Sequence, residues 1–149
     1  MATRDLYKIY IDTGAFIALL DETDTYHKEA TAFYRSLTNG NAIFTSLLII
    51  SETYTWLRYH SGYAKANRFI EIVDKLTSTG GLRLVVPDSS IISKSHAVLQ
   101  EFHDQDLSYA DALSFVLLEL YDIHHVFGFD SHFYIIKRNL WPNVKRKSR

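Results

Sequence analysis

Residues 7–12 read Tyr-Lys-Ile-Tyr-Ile-Asp, and this stretch decides the fold class. Its β-branched and aromatic residues are typical of a short strand, which ends at Asp12. Asp12-Thr13-Gly14 is a turn, and the apolar segment 15–20 after it indicates a helix. A strand that passes through a short turn into a helix is typical of βα units, whose strands lie parallel in a sheet.

The rest of the chain repeats this alternation of strands and helices. Strands are predicted at 42–45, 82–86 and 126–129, and further helices at 27–37, 46–60, 64–76, 88–103 and 108–120. Ser46, Asp88 or Ser89, and Ser108 stand where helix N-caps are expected. The order predicts an α/β fold of three layers, with a mostly parallel central sheet and helices on both faces. In such sheets, sites form beyond the carboxyl ends of the strands.

Size and composition indicate one ordinary globular domain. The chain has 149 residues, of which 47% are hydrophobic and 22% charged. It contains no cysteine, which excludes disulfides, thiolate metal sites and thiol chemistry. The N-terminus lacks the apolar core of a signal peptide, and the longest nearly apolar stretch, 42–50, is too short to cross a bilayer. We therefore expect a cytoplasmic protein without a membrane segment.

The net charge of −1 conceals an uneven distribution of charge. Residues 1–136 contain 17 acidic and 10 basic residues, a charge of −7, whereas the last 13 residues carry +6. In this basic end, Lys145, Arg146 and Lys147 are candidates for contacts with RNA phosphates. A solvated tail that only aids solubility explains the pattern equally well. We predict one domain over 1–141 and a basic C-terminal tail over 142–149.

Four acidic residues fall where the predicted fold would gather them. Asp12 and Asp130 each follow a strand, so their side chains should project at the same rim of a parallel sheet. Glu52 and Asp111 lie on strongly apolar helices. The helix of Glu52 looks buried nearly all round, and a carboxylate there would lose hydration and need a strong partner. Asp111 lies in a first helical turn, which favours an anion.

Each of these acids also has a purely structural explanation. Asp12 could cap the turn after it, Asp111 stands three residues after Ser108 as in a capping box, and Asp130 could form an Asx turn. Glu52 could pair with a buried Arg. Their conjunction is harder to explain this way, because four converging carboxylates repel one another unless a divalent cation joins them. Carboxylate oxygens and water suit Mg²⁺ or Mn²⁺, which can activate water for phosphodiester cleavage.

Four pieces of the sequence resemble the PIN-domain nucleases, and among them the VapC-like toxins of bacterial and archaeal toxin–antitoxin pairs. The resemblance covers essentially the whole chain, and the pieces that carry it are Ile9-Tyr-Ile-Asp-Thr-Gly-Ala-Phe, Ser51-Glu-Thr, Leu107-Ser-Tyr-Ala-Asp-Ala-Leu-Ser-Phe and Val126-Phe-Gly-Phe-Asp-Ser-His-Phe. The resemblance implies metal-binding and catalytic roles for Asp12, Glu52, Asp111 and Asp130. It also matches Thr13 to a position that is usually Ser or Thr in the family.

The same resemblance implies a PIN-like sheet of four to five strands, one or two Mg²⁺ or Mn²⁺ ions, an RNA substrate, frequent homodimers and a small antitoxin that covers the site. The resulting hypothesis is an endoribonuclease in which Thr13 and Ser108 support the acids, and Arg58 helps the tail to offset phosphate charge. Three aromatic residues near the predicted site could stack on bases: Tyr109, Phe133 and Tyr134. Core packing nevertheless explains most aromatic residues of this chain.

Three other functions are weighed against this hypothesis. A catalytically silent relative that binds RNA or protein would need no metal. A DNA nuclease could use the same carboxylates, because metal ions act on phosphates and do not distinguish RNA from DNA. A phosphoacceptor signalling domain would need an adjacent acidic pair after the first strand, and Asp12 has no acidic neighbour.

Overall fold

The structure is a computed structural model that describes residues 7–144. Its five strands are β1 (Lys8–Ile11), β2 (Ala42–Ser46), β3 (Arg83–Val85), β4 (His125–Phe127) and β5 (Asn139–Trp141). They form one sheet in the order β3-β2-β1-β4-β5, and every neighbouring pair is parallel. The predicted α/β/α fold with a mostly parallel sheet is therefore confirmed.

The helices of this range are α1 (Thr13–Leu20), α2 (His27–Ser36), α3 (Leu47–His60), α4 (Tyr63–Thr79), α5 (Ser89–Glu101) and α6 (Tyr109–Leu120). A short 3-10 helix, Ser131–Ile136, precedes β5. The predicted N-caps are confirmed, since the side chains of Ser46, Asp88 and Ser108 each accept a backbone hydrogen bond from a first helical turn. No helix within residues 7–144 has both the length and the apolar character needed to span a membrane.

β1 lies at the middle of the sheet, which fixes the place of the residue that follows it. Ile9, Tyr10 and Ile11 are at most 2% exposed, and β1 pairs with β2 on one side and β4 on the other. The hydroxyl of Tyr10 is held by a 2.7 Å hydrogen bond with Ser114 of α6. Asp12 therefore emerges at the centre of the carboxyl edge, with α6 packed close by.

The end of the chain differs from the sequence prediction in two respects. The pattern alone indicated four strands, and the structure adds β5, a strand of three residues in which only Leu140 is fully buried. The last predicted strand, 126–129, is instead His125–Phe127, so Gly128 and Phe129 separate it from Asp130. The backbone N–H of Gly128 donates to the carbonyl of Trp141, which joins β5 to the segment leading to Asp130.

The proposed division of the chain at residue 141 stays a prediction. Val144 packs against the core, so the described chain remains attached to the domain three residues beyond that boundary. The predicted RNA contacts Lys145, Arg146 and Lys147 lie outside the described residues.

Candidate metal centre

Asp12 connects β1 to α1 and is held from both sides. Its backbone N–H donates to the carbonyl of Phe127 at 3.0 Å, which extends the pairing with β4 by one residue. Its side chain makes no hydrogen bond that caps α1. Gly128 leaves room for the aspartate. Any other residue there would place its Cβ 3.0 Å from the Cβ of Asp12, which is closer than ordinary van der Waals contact. Asp12 is 6% exposed, so its carboxylate is poorly hydrated.

The burial of Asp12 has an electrostatic consequence. Burial raises the pKa of its carboxyl well above the usual range, and the nearby carboxylates of Asp111 and Asp130 raise it further. Glu52 makes a smaller contribution in the same direction. Among the described residues, no Lys or Arg lies within ion-pair distance of these acids. The four predicted residues thus interact electrostatically, and ionising them together is unfavourable without an added cation.

Asp111 is fixed by the helix end that carries it. Its N–H donates to Ser108 Oγ and its Oδ2 accepts from the N–H of Ser108, both at 3.0 Å, which completes the capping box. Burial raises the pKa of Asp111, and Asp130 adds to the shift, whereas the bonds to Ser108 and the proximity of His132 lower it. The structural and functional explanations of Asp111 are therefore compatible, because the capping box aims the carboxylate at its acidic neighbours.

Asp130 and His132 form the third part of the cluster. Asp130 Oδ1 accepts a 2.9 Å hydrogen bond from the backbone N–H of His132, the Asx turn that the sequence suggested. The same turn brings His132 Nδ1 to 3.0 Å from Asp130 Oδ1 and 3.5 Å from Asp111 Oδ2. Sequence reasoning missed His132, although it stands two residues after Asp130 in the quoted fourth motif.

The prediction that Glu52 is buried was wrong. Glu52 is exposed, because α3 buries one face, with Ile49, Thr53 and Leu57, and leaves the face of Glu52 open. Within the described residues it pairs with no Arg. Its Oε2 instead accepts a 2.6 Å hydrogen bond from the hydroxyl of Thr13. Thr13 follows Asp12 directly, so this bond links Glu52 to the residue beside the buried acid.

The role of the hydrogen bond between Thr13 and Glu52 can be tested by substitution. Replacing Thr13 by Val removes the hydroxyl that orients Glu52 and keeps the shape of the side chain. We expect metal-dependent activity to fall by about tenfold, as is typical when an outer partner of a metal site is lost. Thr13→Ser should retain activity, and thermal unfolding should change little.

Thr23→Val is the matched control, because Thr23 donates a 2.7 Å hydrogen bond to Asp21, away from the four acids in sequence. Equal activity in the Thr13 and Thr23 variants would mean that Thr13 does not position Glu52.

Arg58 does not reach the acids. Its guanidinium lies 5.8 Å from the centre of the Tyr63 ring, at the far end of α3 from the sheet edge. Arg58 is therefore not part of the acidic cluster.

The residues at the sheet edge fit a divalent cation. Asp111, Asp130 and His132 each offer a ligand atom, and these atoms lie within 4.8 Å of one another. The carboxyl group of Asp12 lies close enough to Asp111 and Asp130 for their charges to raise its pKa. His132 Nδ1 is buried and forms no hydrogen bond, so it retains bonding capacity. Oxygen donors with one imidazole suit Mg²⁺, Mn²⁺ and neighbouring transition-metal ions.

The sequence model of the PIN domain family matches residues 9–139, which include all four acids. The chain belongs to the PIN domain family. No curated protein sequence matches this PIN domain.

Solved structures resemble this PIN domain over most of its length. Mycobacterium tuberculosis VapC20, described as a sarcin-ricin loop cleaving toxin, is 23% identical with a TM-score of 0.77, covering 86% of this chain and 94% of its own. Rickettsia felis VapBC2, bound to a promoter DNA fragment, is 11% identical with a TM-score of 0.67 and coverages of 89% and 96%. FitAcB from Neisseria gonorrhoeae is 17% identical with a TM-score of 0.64 and coverages of 89% and 95%. At these identities, the likeness establishes the shared fold.

Proposed function

We propose that this PIN domain is a metal-dependent endoribonuclease and the toxin of a toxin–antitoxin pair. The proposal rests on the gathering of buried Asp12 with Asp111, Asp130 and Glu52 at the carboxyl edge of the sheet, where the three other carboxylates raise the pKa of Asp12. Carboxylates that destabilise one another in this way are expected where a bound cation is part of the function. A silent binding protein would gain nothing from this arrangement.

The four acids would divide the work between them. Asp12, Asp111 and Asp130 would hold one or two Mg²⁺ or Mn²⁺ ions, which when bound supply an activated water and offset phosphate charge. Glu52 uses Oε2 for Thr13. No hydrogen bond to its Oε1 is found within residues 7–144, so in this proposal that oxygen accepts a proton or a hydrogen bond from the attacking water. Ser108 acts indirectly, because its bonds hold Asp111 in place.

A groove beside Glu52 supports a nucleic-acid polymer as the substrate. It has a volume of about 550 Å³, and Glu52 and Ser108 form part of its wall. Trp56, Tyr59 and Tyr109 also line it, with Tyr59 83% and Tyr109 44% exposed. Exposed rings next to a phosphate-cleaving site can stack on unpaired bases. Of the other two aromatic residues suggested by the sequence, Phe133 is fully buried and cannot stack, whereas Tyr134 is exposed.

We expect Tyr59→Ala to raise the KM for RNA about tenfold, since one base–aromatic stack contributes roughly 1–3 kcal/mol. Its effect on kcat should be small, because Tyr59 does not touch the acids. Stability should also hold, because the ring is largely exposed. Tyr7→Ala is the control, since Tyr7 is 59% exposed and precedes β1 at the opposite edge of the sheet. An equal KM in the two variants would exclude stacking on Tyr59.

The partners follow from the site and from the structural relatives. The sarcin-ricin loop cleaving activity of VapC20 supports RNA as the substrate, and the VapBC2 assembly supports an antitoxin partner. That the antitoxin is small and covers the acids is a prediction from the family resemblance. We expect the protein to act in the cytoplasm, where its RNA substrate would be found. A homodimer remains a prediction from the family resemblance.

The test is cleavage of end-labelled RNA and DNA of the same mixed sequence by the purified protein. We expect fragments from RNA with Mg²⁺ or Mn²⁺ and none with EDTA. Cleavage of DNA in preference to RNA would favour a DNA nuclease. No cleavage of either polymer by folded protein that is free of antitoxin and binds no Mn²⁺ would favour a silent binding protein.

A further inference from the structure

His132 holds an unusual position in the cluster of acids. Its Nδ1 lies 3.0 Å from Asp130 Oδ1 and 3.5 Å from Asp111 Oδ2, while its side chain is 29% exposed. Despite these distances, the nitrogen is buried and its contacts do not have the geometry of a hydrogen bond. A ring nitrogen that lies within ion-pair distance of two carboxylates, and has hydrogen-bond geometry with neither, has a function still to be assigned.

The distances match those between ligands of one ion. Adjacent ligands of an octahedral ion with bonds of about 2.1 Å lie about 3.0 Å apart, and opposite ligands about 4.2 Å apart. The contacts of His132 Nδ1 with Asp130 and Asp111, at 3.0 and 3.5 Å, correspond to adjacent ligands. The Asx turn fixes the backbone of His132 to Asp130, so the imidazole and that carboxylate are presented together.

We propose that His132 Nδ1 is a metal ligand and that it makes this centre prefer transition-metal ions, such as Mn²⁺ and Co²⁺, over Mg²⁺. The inference rests on the proposed function only in taking the acids to hold a divalent cation. Carboxylates and water suit Mg²⁺ and Mn²⁺ alike, whereas an imidazole nitrogen favours ions of the first transition row. His132 would therefore determine which metal the protein selects.

A second role for His132 predicts the opposite effect on affinity. A protonated imidazole could neutralise Asp111 and Asp130 in place of a metal, and the arriving ion would then have to displace it. Removing such a competing charge would tighten metal binding. Removing a ligand would weaken it, so the sign of the change separates the two roles.

The experiment is titration of metal-free protein with Mn²⁺, Co²⁺ and Mg²⁺ by calorimetry, in the absence of RNA. We expect His132→Ala to weaken binding of Mn²⁺ and Co²⁺ by at least about tenfold and that of Mg²⁺ by less. His132→Asn offers an oxygen in place of the nitrogen, so it should keep Mg²⁺ binding and lose the preference for Mn²⁺. His124→Ala is the matched control, because His124 lies 3.0 Å from Asp122 in a similar contact with no acid of the cluster.

Pulsed EPR of Mn²⁺ bound to protein labelled with ¹⁵N-histidine detects a nitrogen ligand in the wild type itself, so the result does not require a variant to fold. We expect a nitrogen coupling in the wild type that persists in His124→Ala and is absent from His132→Asn. Unchanged or tighter Mn²⁺ binding in His132→Ala, or no nitrogen coupling in the wild type, would overturn the proposal.

The results also separate this inference from the proposed function. If the protein binds Mn²⁺ through His132 but cleaves no RNA, only the proposed nuclease function is contradicted. If cleavage depends on metal but His132→Ala binds the ions with unchanged affinity, only the assignment of His132 as a ligand is contradicted.

Discussion

Asp12→Asn is expected to lower RNA cleavage by about 10³-fold or more, because the several kcal/mol that a bound ion contributes to the transition state would be lost. The substitution keeps the size of the side chain and removes its charge. The pKa of Asp12 is raised by burial and by Asp111 and Asp130, so ionisation at neutral pH opposes folding. In EDTA, the variant should therefore melt at a higher temperature than the wild type.

Loss of activity together with a gain in metal-free stability is difficult to obtain by misfolding. Asp21→Asn is the matched control at the other end of α1. The pKa of Asp21 is lowered, chiefly by its hydrogen bond with Thr23, so neutralising it should slightly lower stability and leave cleavage intact. Substantial cleavage by folded Asp12→Asn would remove Asp12 from the catalytic site.

The sequence was sufficient for the fold wherever a local pattern has a single interpretation. Ser46 and Ser108 begin their helices as predicted, because a short side chain with an oxygen at that position satisfies an open backbone N–H. β5 could not be predicted in the same way. It is three residues long and is held by pairing with β4, a contact between distant parts of the chain that leaves no periodic pattern.

Two features of the candidate site show what the linear sequence does not contain. The sequence predicts too much burial for Glu52 because apolar neighbours along α3 do not ensure that every face of the helix is covered, and Leu47 is itself 43% exposed. His132 was overlooked because an isolated histidine resembles any surface residue until the Asx turn folds it toward Asp111.

Structural and functional explanations of the acids are compatible in this protein. In the structure, the capping box of Asp111 and the Asx turn of Asp130 are both present. Each motif restricts the orientation of a carboxylate that points toward its neighbours. Preorganised side chains of this kind are what a metal site needs, so the local motifs support the candidate site.

The metal-free protein is expected to lose stability as the pH rises above about 3.9, the ordinary pKa of an aspartate in an unfolded chain. Burial is the main cause that raises the pKa of both Asp12 and Asp111 in the folded protein. Between the unfolded and folded pKa values, the native state holds more protons than the unfolded state, so the free energy of unfolding falls with pH. Asp21 acts in the opposite direction, and its stabilisation is lost only at lower pH.

Mn²⁺ should reverse this loss, because it binds the ionised carboxylates of the folded state. An ion at 100 times its Kd stabilises a protein by about 2.7 kcal/mol, which for a chain of this size raises the melting temperature by roughly 5–10 °C. The gain should be largest at pH 8 and smallest at pH 5, where protons compete for the same oxygens. Thermal unfolding from pH 5 to pH 8, with EDTA or with Mn²⁺, measures both effects.

Asp12→Asn separates them from the titration of the rest of the chain, since it should flatten the pH dependence and reduce the response to Mn²⁺. Identical pH profiles for the wild type and Asp12→Asn would mean that Asp12 is not the origin of the pH dependence. A melting temperature that Mn²⁺ does not change would mean that the folded protein does not bind this ion.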